Sequence, residues 1–237
     1  MPNFLSCEWR KVAMVNYAVD PGILKPYLPF KTQLDLRNNV CYVSLVGFMF
    51  LDTRTLGIKI PYHVNFEEVN LRFYVGRTDP SGEWRRGVVF IKEIVPRTML
   101  AFVARTLYNE NYQTMPMRHR WAKTGRTLEV EYQWKQERWN TMMVHAGSVS
   151  NPIAAGSDEE FIFEHYWGYT KVNDHKTFEY KVEHPRWEVY PVSAFHIEVD
   201  FGNVYGSEFA ELSKMKPVSV FLAEGSEVKV MPKSTLT

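Results

Sequence analysis

From residue 65 to residue 76 the chain reads NFEEVNLRFYVG, with apolar residues on every second position. Side chains of a β-strand alternate between faces, so Val69, Leu71, Phe73 and Val75 share one side and Glu68, Asn70, Arg72 and Tyr74 the other. The first side is a core face. The second sets a carboxylate, an amide, a guanidinium and a phenol in one row, and periodicity leaves two readings of it open. One is a sheet face in water, with Glu68 and Arg72 forming a weak surface pair. The other is the polar lining of a cavity within a closed or half-closed sheet, with Arg72 placed to hold an anionic group and Glu68 beside it.

The same patterning assigns the other elements. Residues 10–17 form a first strand, and Asp20 followed by Pro21 starts a short helix that carries Ile23, Leu24, Tyr27 and Leu28 and stops at Pro29. Residues 40–51 are apolar on both alternating faces, as expected for a central strand covered above and below. Asp79-Pro80-Ser81-Gly82 has β-turn composition, and residues 85–95 supply the hairpin partner. Pro96 opens a helix through Tyr108, with Met99, Leu100, Val103 and Leu107 at helical spacing. Residues 112–121, 126–136 and 139–146 follow as antiparallel strands, the first carrying the basic cluster Arg118, His119, Arg120 and Lys123 as a solvated edge. Ser157 and Glu160 make a capping box. In EHYWGYT, His165, Trp167 and Tyr169 alternate with Tyr166 and Thr170. Strands are expected over 177–189, where Pro185 marks an edge, a bulge or an end, and over 192–201. A short helix at 207–215 and a strand at 218–231, broken at Glu224-Gly225, close the chain.

Composition narrows the class. The 237 residues fit one domain spanning 1–237, and 45% hydrophobic with 15% aromatic content suits an aromatic-walled β protein and excludes disorder. A net charge of +1, from 28 basic and 27 acidic residues, provides no field for nucleic acid or anionic lipid, so neither is an expected partner. Cys7 and Cys41 have neither the number nor the spacing of a disulfide framework or a zinc site. With Glu8, Arg10 and Lys11 where a signal peptide needs its apolar segment, the expected location is the cytoplasm.

The seven histidines show no helical or alternating pair, so no metal is expected, and neither a phosphate loop nor a nucleophile elbow is present. No cofactor is implied. What remains is a set of Glu, Arg, His, Tyr and Trp residues on strands. Glu68 could serve as an acid or base if burial raised its pKa, with His165 or Tyr74 assisting, and Arg72 with Asn70 could fix a carboxylate. The competing view of Glu68 and Arg72 is a structural ion pair. His165 and His184 are cavity-lining candidates or simply hydrogen-bonded structural residues. Trp167, Tyr169 and Trp187 are core or cavity wall.

The motifs FEEVNLRFYV, GVVFIKEIVPR, ARTLYNENY, EHYWGY and VEHPRW, in this order, resemble the YqjF-like bacterial family of unknown function, placed in the acetoacetate decarboxylase-like superfamily. The resemblance spans roughly residues 4–230. It implies a mainly β (α+β) fold, an antiparallel cone-like β-barrel or sheet with a few short helices around an internal cavity, and it implies self-association as a homo-oligomer. It therefore favours the cavity reading of the opening strand. In acetoacetate decarboxylases a lysine forms a Schiff base with the keto acid and a glutamate on an earlier strand assists; Glu68 matches that glutamate. The lysine does not carry over, because this chain reads NENYQTMPM in the matching region and has no lysine between Lys92 and Lys123. Lys92, in alternation with Val88 and Phe90, is the one substitute that could reach the interior. The expected ligand is a small organic carboxylate, met either by a binding protein, by an enzyme using Glu68 without imine chemistry, or not at all if the protein is an oligomeric interaction module whose barrel is filled by its own side chains.

Overall fold

The alternation at 65–76 becomes β4 (Phe66–Thr78). A computed structural model of the chain describes residues 3–97 and 109–237, so the helix expected at 96–108 falls almost wholly outside the described residues. Around β4 lie β1 (Leu5–Val19), β2 (Gln33–Leu34), β3 (Cys41–Thr55) and β5 (Trp84–Val95). The Asp79–Gly82 turn joins β4 to β5: the Asp79 carbonyl accepts from Gly82 N at 3.0 Å and its carboxylate from Ser81 N at 2.8 Å. Asp20 caps a 3-10 turn over Pro21–Tyr27, accepting from Gly22 N.

Further along are β6 (Tyr112–Thr114), β7 (Met117–Thr124), β8 (Thr127–Lys135), β9 (Trp139–Gly147) and β10 (Asn151–Pro152). They are followed by β11 (Trp167–Asn173), β12 (Lys176–Glu183), β13 (Glu188–Tyr190), β14 (Val192–Glu198), β15 (Ser219–Val230) and β16 (Ser234–Leu236). Helix α1 (Asp158–Phe163) begins at Ser157, whose hydroxyl accepts from Glu160 N at 3.1 Å, and α2 spans Phe201–Tyr205. No helix among the described residues is long and apolar enough to cross a membrane.

The strands form a 12-stranded and a 4-stranded sheet. In the larger sheet, pairing runs β15, β1, β3, β4, β5, β11, β12, and Val182 and Glu183 of β12 pair back onto Val230 and Lys229 of β15. The hydrogen-bonded path thus returns on itself and gives the sheet an inside. Most pairs are antiparallel; β5 meets β6 and β11 in parallel, which makes the sheet mixed.

Each strand face has its own core. Val69, Leu71, Phe73 and Val75 of β4 pack with Val43, Leu45 and Met49 of β3 beneath the smaller sheet, which contributes Leu128, Val130, Tyr132 and Trp134. Val46, Phe48 and Phe50 of β3 join a second core with Trp187 and residues of α1. The two-sided apolar pattern of residues 40–51 therefore reflects real layers on both sides. The smaller sheet comes close at Gly47, where a Cβ would lie 2.4 Å from Met142 Cε and 2.9 Å from a Tyr132 ring carbon. Gly47→Val overfills this contact and is expected to lower stability by about 2 kcal/mol, seen in a denaturant melt as a lower midpoint with unchanged slope.

Several expectations change. The strand expected over 112–121 is two strands in two sheets, because Pro116 cannot continue a ladder. The strand expected over 177–189 ends at Glu183, and HPRW is the connection to β13. The strand expected to reach 201 stops at Glu198, and Ser207–Ser213 is a 3-10 turn. At Glu224-Gly225 β15 is not broken: Arg10 pairs with Gly225 and Val12 with Ala223 in continuous register, and Gly225, at φ +81°, leaves no room for a Cβ beside Trp9 O. The basic cluster on β7 is an edge, with Arg120 against Glu129 and His119 Nδ1 2.6 Å from Glu67.

Candidate ligand cavity

The polar row of β4 does not face water. Glu68 is 2% exposed and Asn70 1%, and with the partly buried Arg72 they line a cavity of about 170 Å³ on the inner side of the larger sheet. Most of the wall is apolar: Val12, Phe48, Phe50 and Phe66 face it, with Trp9 and Trp187 in edge contact at 6.3 Å.

Glu68 and Arg72 are not an ion pair. Glu68 Oε1 accepts from Asn70 Nδ2 at 2.9 Å and Oε2 from the Tyr112 hydroxyl at 3.1 Å. Among the described residues Arg72 reaches only Met14 Sδ, at 3.6 Å, and the Tyr74 ring, at 5.8 Å; its buried Nε has no hydrogen-bond partner there, and no described carboxylate lies within 4.0 Å of it. Burial pushes Glu68 up to about 7 against the opposing pull of Asn70, Tyr112 and Arg72.

Two more carboxylates share the wall, and sequence patterning missed both. Glu93 is 3% exposed and Glu110 5%. Burial raises Glu93 well above its usual range, helped by the charges of Glu110 and Glu68, and burial raises Glu110 to about 7 although Thr170 and Tyr180 donate to it. The Tyr112 hydroxyl stands between Glu68 and Glu93, and the Tyr180 hydroxyl donates to Glu110 Oε1 at 3.0 Å.

Glu93 arrives through a bulge. β4 and β5 slip register between Leu71 and Arg72: Leu71 pairs with Lys92 but Arg72 with Phe90, leaving Ile91 as the extra residue. Asn111 holds the bulge, its Nδ2 donating to Ile91 O at 2.8 Å. The phase of β5 reverses there, so Val88 and Phe90 line the cavity before it and Glu93 and Val95 after it. Lys92, which alternation alone would allow inside although a strand lysine more often turns its ammonium outward, is turned away and donates to Val204 O. No described cavity residue is a lysine.

The remaining candidates separate. His165 is buried and lines the cavity; its Nε2 donates at 3.1 Å to Asp35, which Arg86 also holds at 2.7 Å. That contact leaves the lone pair on Nδ1, a buried atom without a partner, and burial lowers the ring to about 4, so His165 is neutral at pH 7. His184 stacks on Trp187 at 4.3 Å, and both line the cavity. Trp187 is tied down by Nε1 to Ser226 Oγ at 2.8 Å. Trp167 reaches the cavity and carries the Arg85 guanidinium 4.3 Å above its ring.

Tyr169 and Tyr74 are placed elsewhere. On β11 Trp167 and Gly168 line the cavity and Thr170 donates to Glu110 of its wall, while Tyr169 is buried in the opposite core with its hydroxyl toward Arg85 O at 3.5 Å. His165 precedes β11 and does not follow its phase. Tyr74 lies beyond the cavity wall, and its hydroxyl is taken by Ser44 Oγ at 2.6 Å.

Known proteins share this architecture. An acetoacetate decarboxylase from Legionella pneumophila superposes with a TM-score of 0.65 at 13% identity over 98% of this chain and 87% of its own. The enduracididine biosynthesis enzyme MppR, solved with pyruvate, gives 0.69 at 10% identity over 100% of this chain and 91% of its own. The fold is acetoacetate decarboxylase-like. In sequence, the uncharacterized protein YqjF of Bacillus subtilis (strain 168) is 24% identical over 180 residues, covering 75% of this chain and 72% of its own. Residues 6–227 match a family of uncharacterized conserved proteins, and the chain belongs to that family, DUF2071.

Proposed function

We propose that the protein binds a small organic carboxylate in this cavity, with the anion on Arg72 and the apolar remainder of the molecule against the aromatic wall. One observation carries the reading: a guanidinium enters a mostly apolar cavity with no carboxylate beside it, although three carboxyls share the same wall. A half-buried cation without a counter-charge beside it is unfavourable, and an anion from solution offsets that cost while gaining a forked hydrogen bond. MppR, solved with pyruvate, is a case of the same fold holding a small carboxylate. Thermal shift with pyruvate, acetoacetate, phenylpyruvate and 3-phenylpropionate tests the reading. The aromatic acids should raise the melting temperature and their amides should not; equal effects of acid and amide would refute an anion site.

A second reading, an enzyme acting on a keto acid or a related carboxylate, is favoured by Glu68, which at about 7 is poised to give or take a proton near neutrality. Glu68→Gln separates the two, leaving carboxylate binding in place and abolishing turnover only if the protein is an enzyme. In either case, borohydride with acetoacetate should leave no covalent adduct by mass spectrometry, because the cavity offers no amine; a trapped adduct would contradict the placement of Lys92.

A further inference from the structure

Arg72 as the anion anchor leaves two acids of the same wall, Glu93 and Glu110, without a role. Three carboxyls from separate elements share one low-dielectric space; burial raises all three, and Glu93 and Glu110 are raised further by the charge of Glu68. Packing alone does not call for them, since apolar side chains would fill the same volume at lower cost.

The hydrogen-bond inventory shows what the wall lacks. Glu68 is served by Asn70 and Tyr112, and Glu110 by Thr170 and Tyr180. Tyr112 also hydrogen-bonds Glu93, but among the described residues Glu93 Oε2 and Asn70 Oδ1, both buried acceptors, have no donor, and Arg72 Nε, a buried donor, has no acceptor. Asn70 and Glu93 are register partners on β4 and β5, so their unserved acceptors come from neighbouring strands. Arg72 lies two residues further along the same face, roughly 7 Å away at the rise of a strand. The wall therefore offers unserved acceptors at one point and a cation a short distance off. An organic ammonium complements those acceptors, and its charge favours the ionised form of Glu93.

We propose that the occupant is an amino acid with an apolar or aromatic side chain, its carboxylate on Arg72, its ammonium on Glu93 and Asn70 Oδ1, and its side chain among Trp9, Phe48, Phe50 and Phe66. This rests on Arg72 as the anion anchor and adds the second charge. The ammonium takes the place of the proton that the buried Glu93 carboxyl otherwise retains.

Calorimetric titration at pH 7.5 with L-phenylalanine, 3-phenylpropionate, which lacks the ammonium, and phenethylamine, which lacks the carboxylate, tests it. Phenylalanine should bind roughly tenfold tighter than 3-phenylpropionate, which loses the ammonium contact, and roughly 100-fold tighter than phenethylamine, which loses the contact to Arg72. Glu93→Gln should remove the advantage over 3-phenylpropionate while leaving 3-phenylpropionate binding unchanged. If 3-phenylpropionate binds as well as phenylalanine, the ammonium site is refuted and the carboxylate pocket stands. If none of the three binds, both are refuted. Should Glu93→Gln fail to fold, the ratio of the ligands on the unaltered protein decides alone.

Discussion

Arg72→Ala is expected to abolish the thermal stabilisation produced by aromatic carboxylates, weakening their binding by roughly 100-fold, or about 3 kcal/mol. The size follows from what the side chain does. Its neighbours in the cavity are a thioether at 3.6 Å and an aromatic ring at 5.8 Å, so the guanidinium has no structural ion pair to lose and its removal acts on the ligand. Arg72→Lys keeps a charge but not the planar fork and should recover only part of the affinity. Retained stabilisation in Arg72→Ala would place the anion elsewhere.

The second large effect is on stability against pH. Glu68 titrates near 4.5 in an unfolded chain and at about 7 in the fold, so folding takes up a proton between those values. Its contribution to stability is complete below pH 4.5 and is lost as pH rises through 7. Glu68→Gln removes that loss, and at pH 8 the variant should be more stable than the unaltered protein by on the order of 3 kcal/mol, the gap closing below pH 5. His165 runs the other way: its ring is lowered to about 4, and the stability it confers is lost as pH falls from 6.5 toward 4. Taking the difference between the two proteins in paired denaturant melts cancels that contribution. A pH-independent difference would mean that Glu68 is not buried as a neutral acid.

Much of this arrangement is legible in the chain because it is local. The alternation of β4, the two-sided apolar run of β3, the Asp20 cap and the Ser157 capping box all rest on neighbours within a few positions. Which way the polar row of β4 faces depends on β12 closing onto β15, about 110 residues later in sequence, and no alternation within β4 carries that information. Glu93 was hidden by a single inserted residue: strict period 2 from Val88 and Phe90 points to Lys92, and the bulge at Ile91 exchanges the two. The cue was an acid set between apolar neighbours in IKEIV, and its anchor, Asn111, lies in a polar stretch that resembles an ordinary loop. Glu110 sits in the same stretch, where no periodicity exists to assign a face. Of the core and cavity readings open for Tyr169 the structure gives core, and the row of His165, Trp167 and Tyr169 does not hold because His165 lies before β11 begins.

Everything proposed for the ligand depends on Arg72 meeting an anion in the aromatic-walled cavity. A crystal structure of the protein grown with 3-phenylpropionate tests it most directly. The carboxylate is expected within hydrogen-bonding distance of the Arg72 guanidinium and the phenyl ring among Trp9, Phe48, Phe50 and Phe66. A structure with Arg72 turned to bulk solvent, or with the cavity filled by the protein's own side chains, would contradict it.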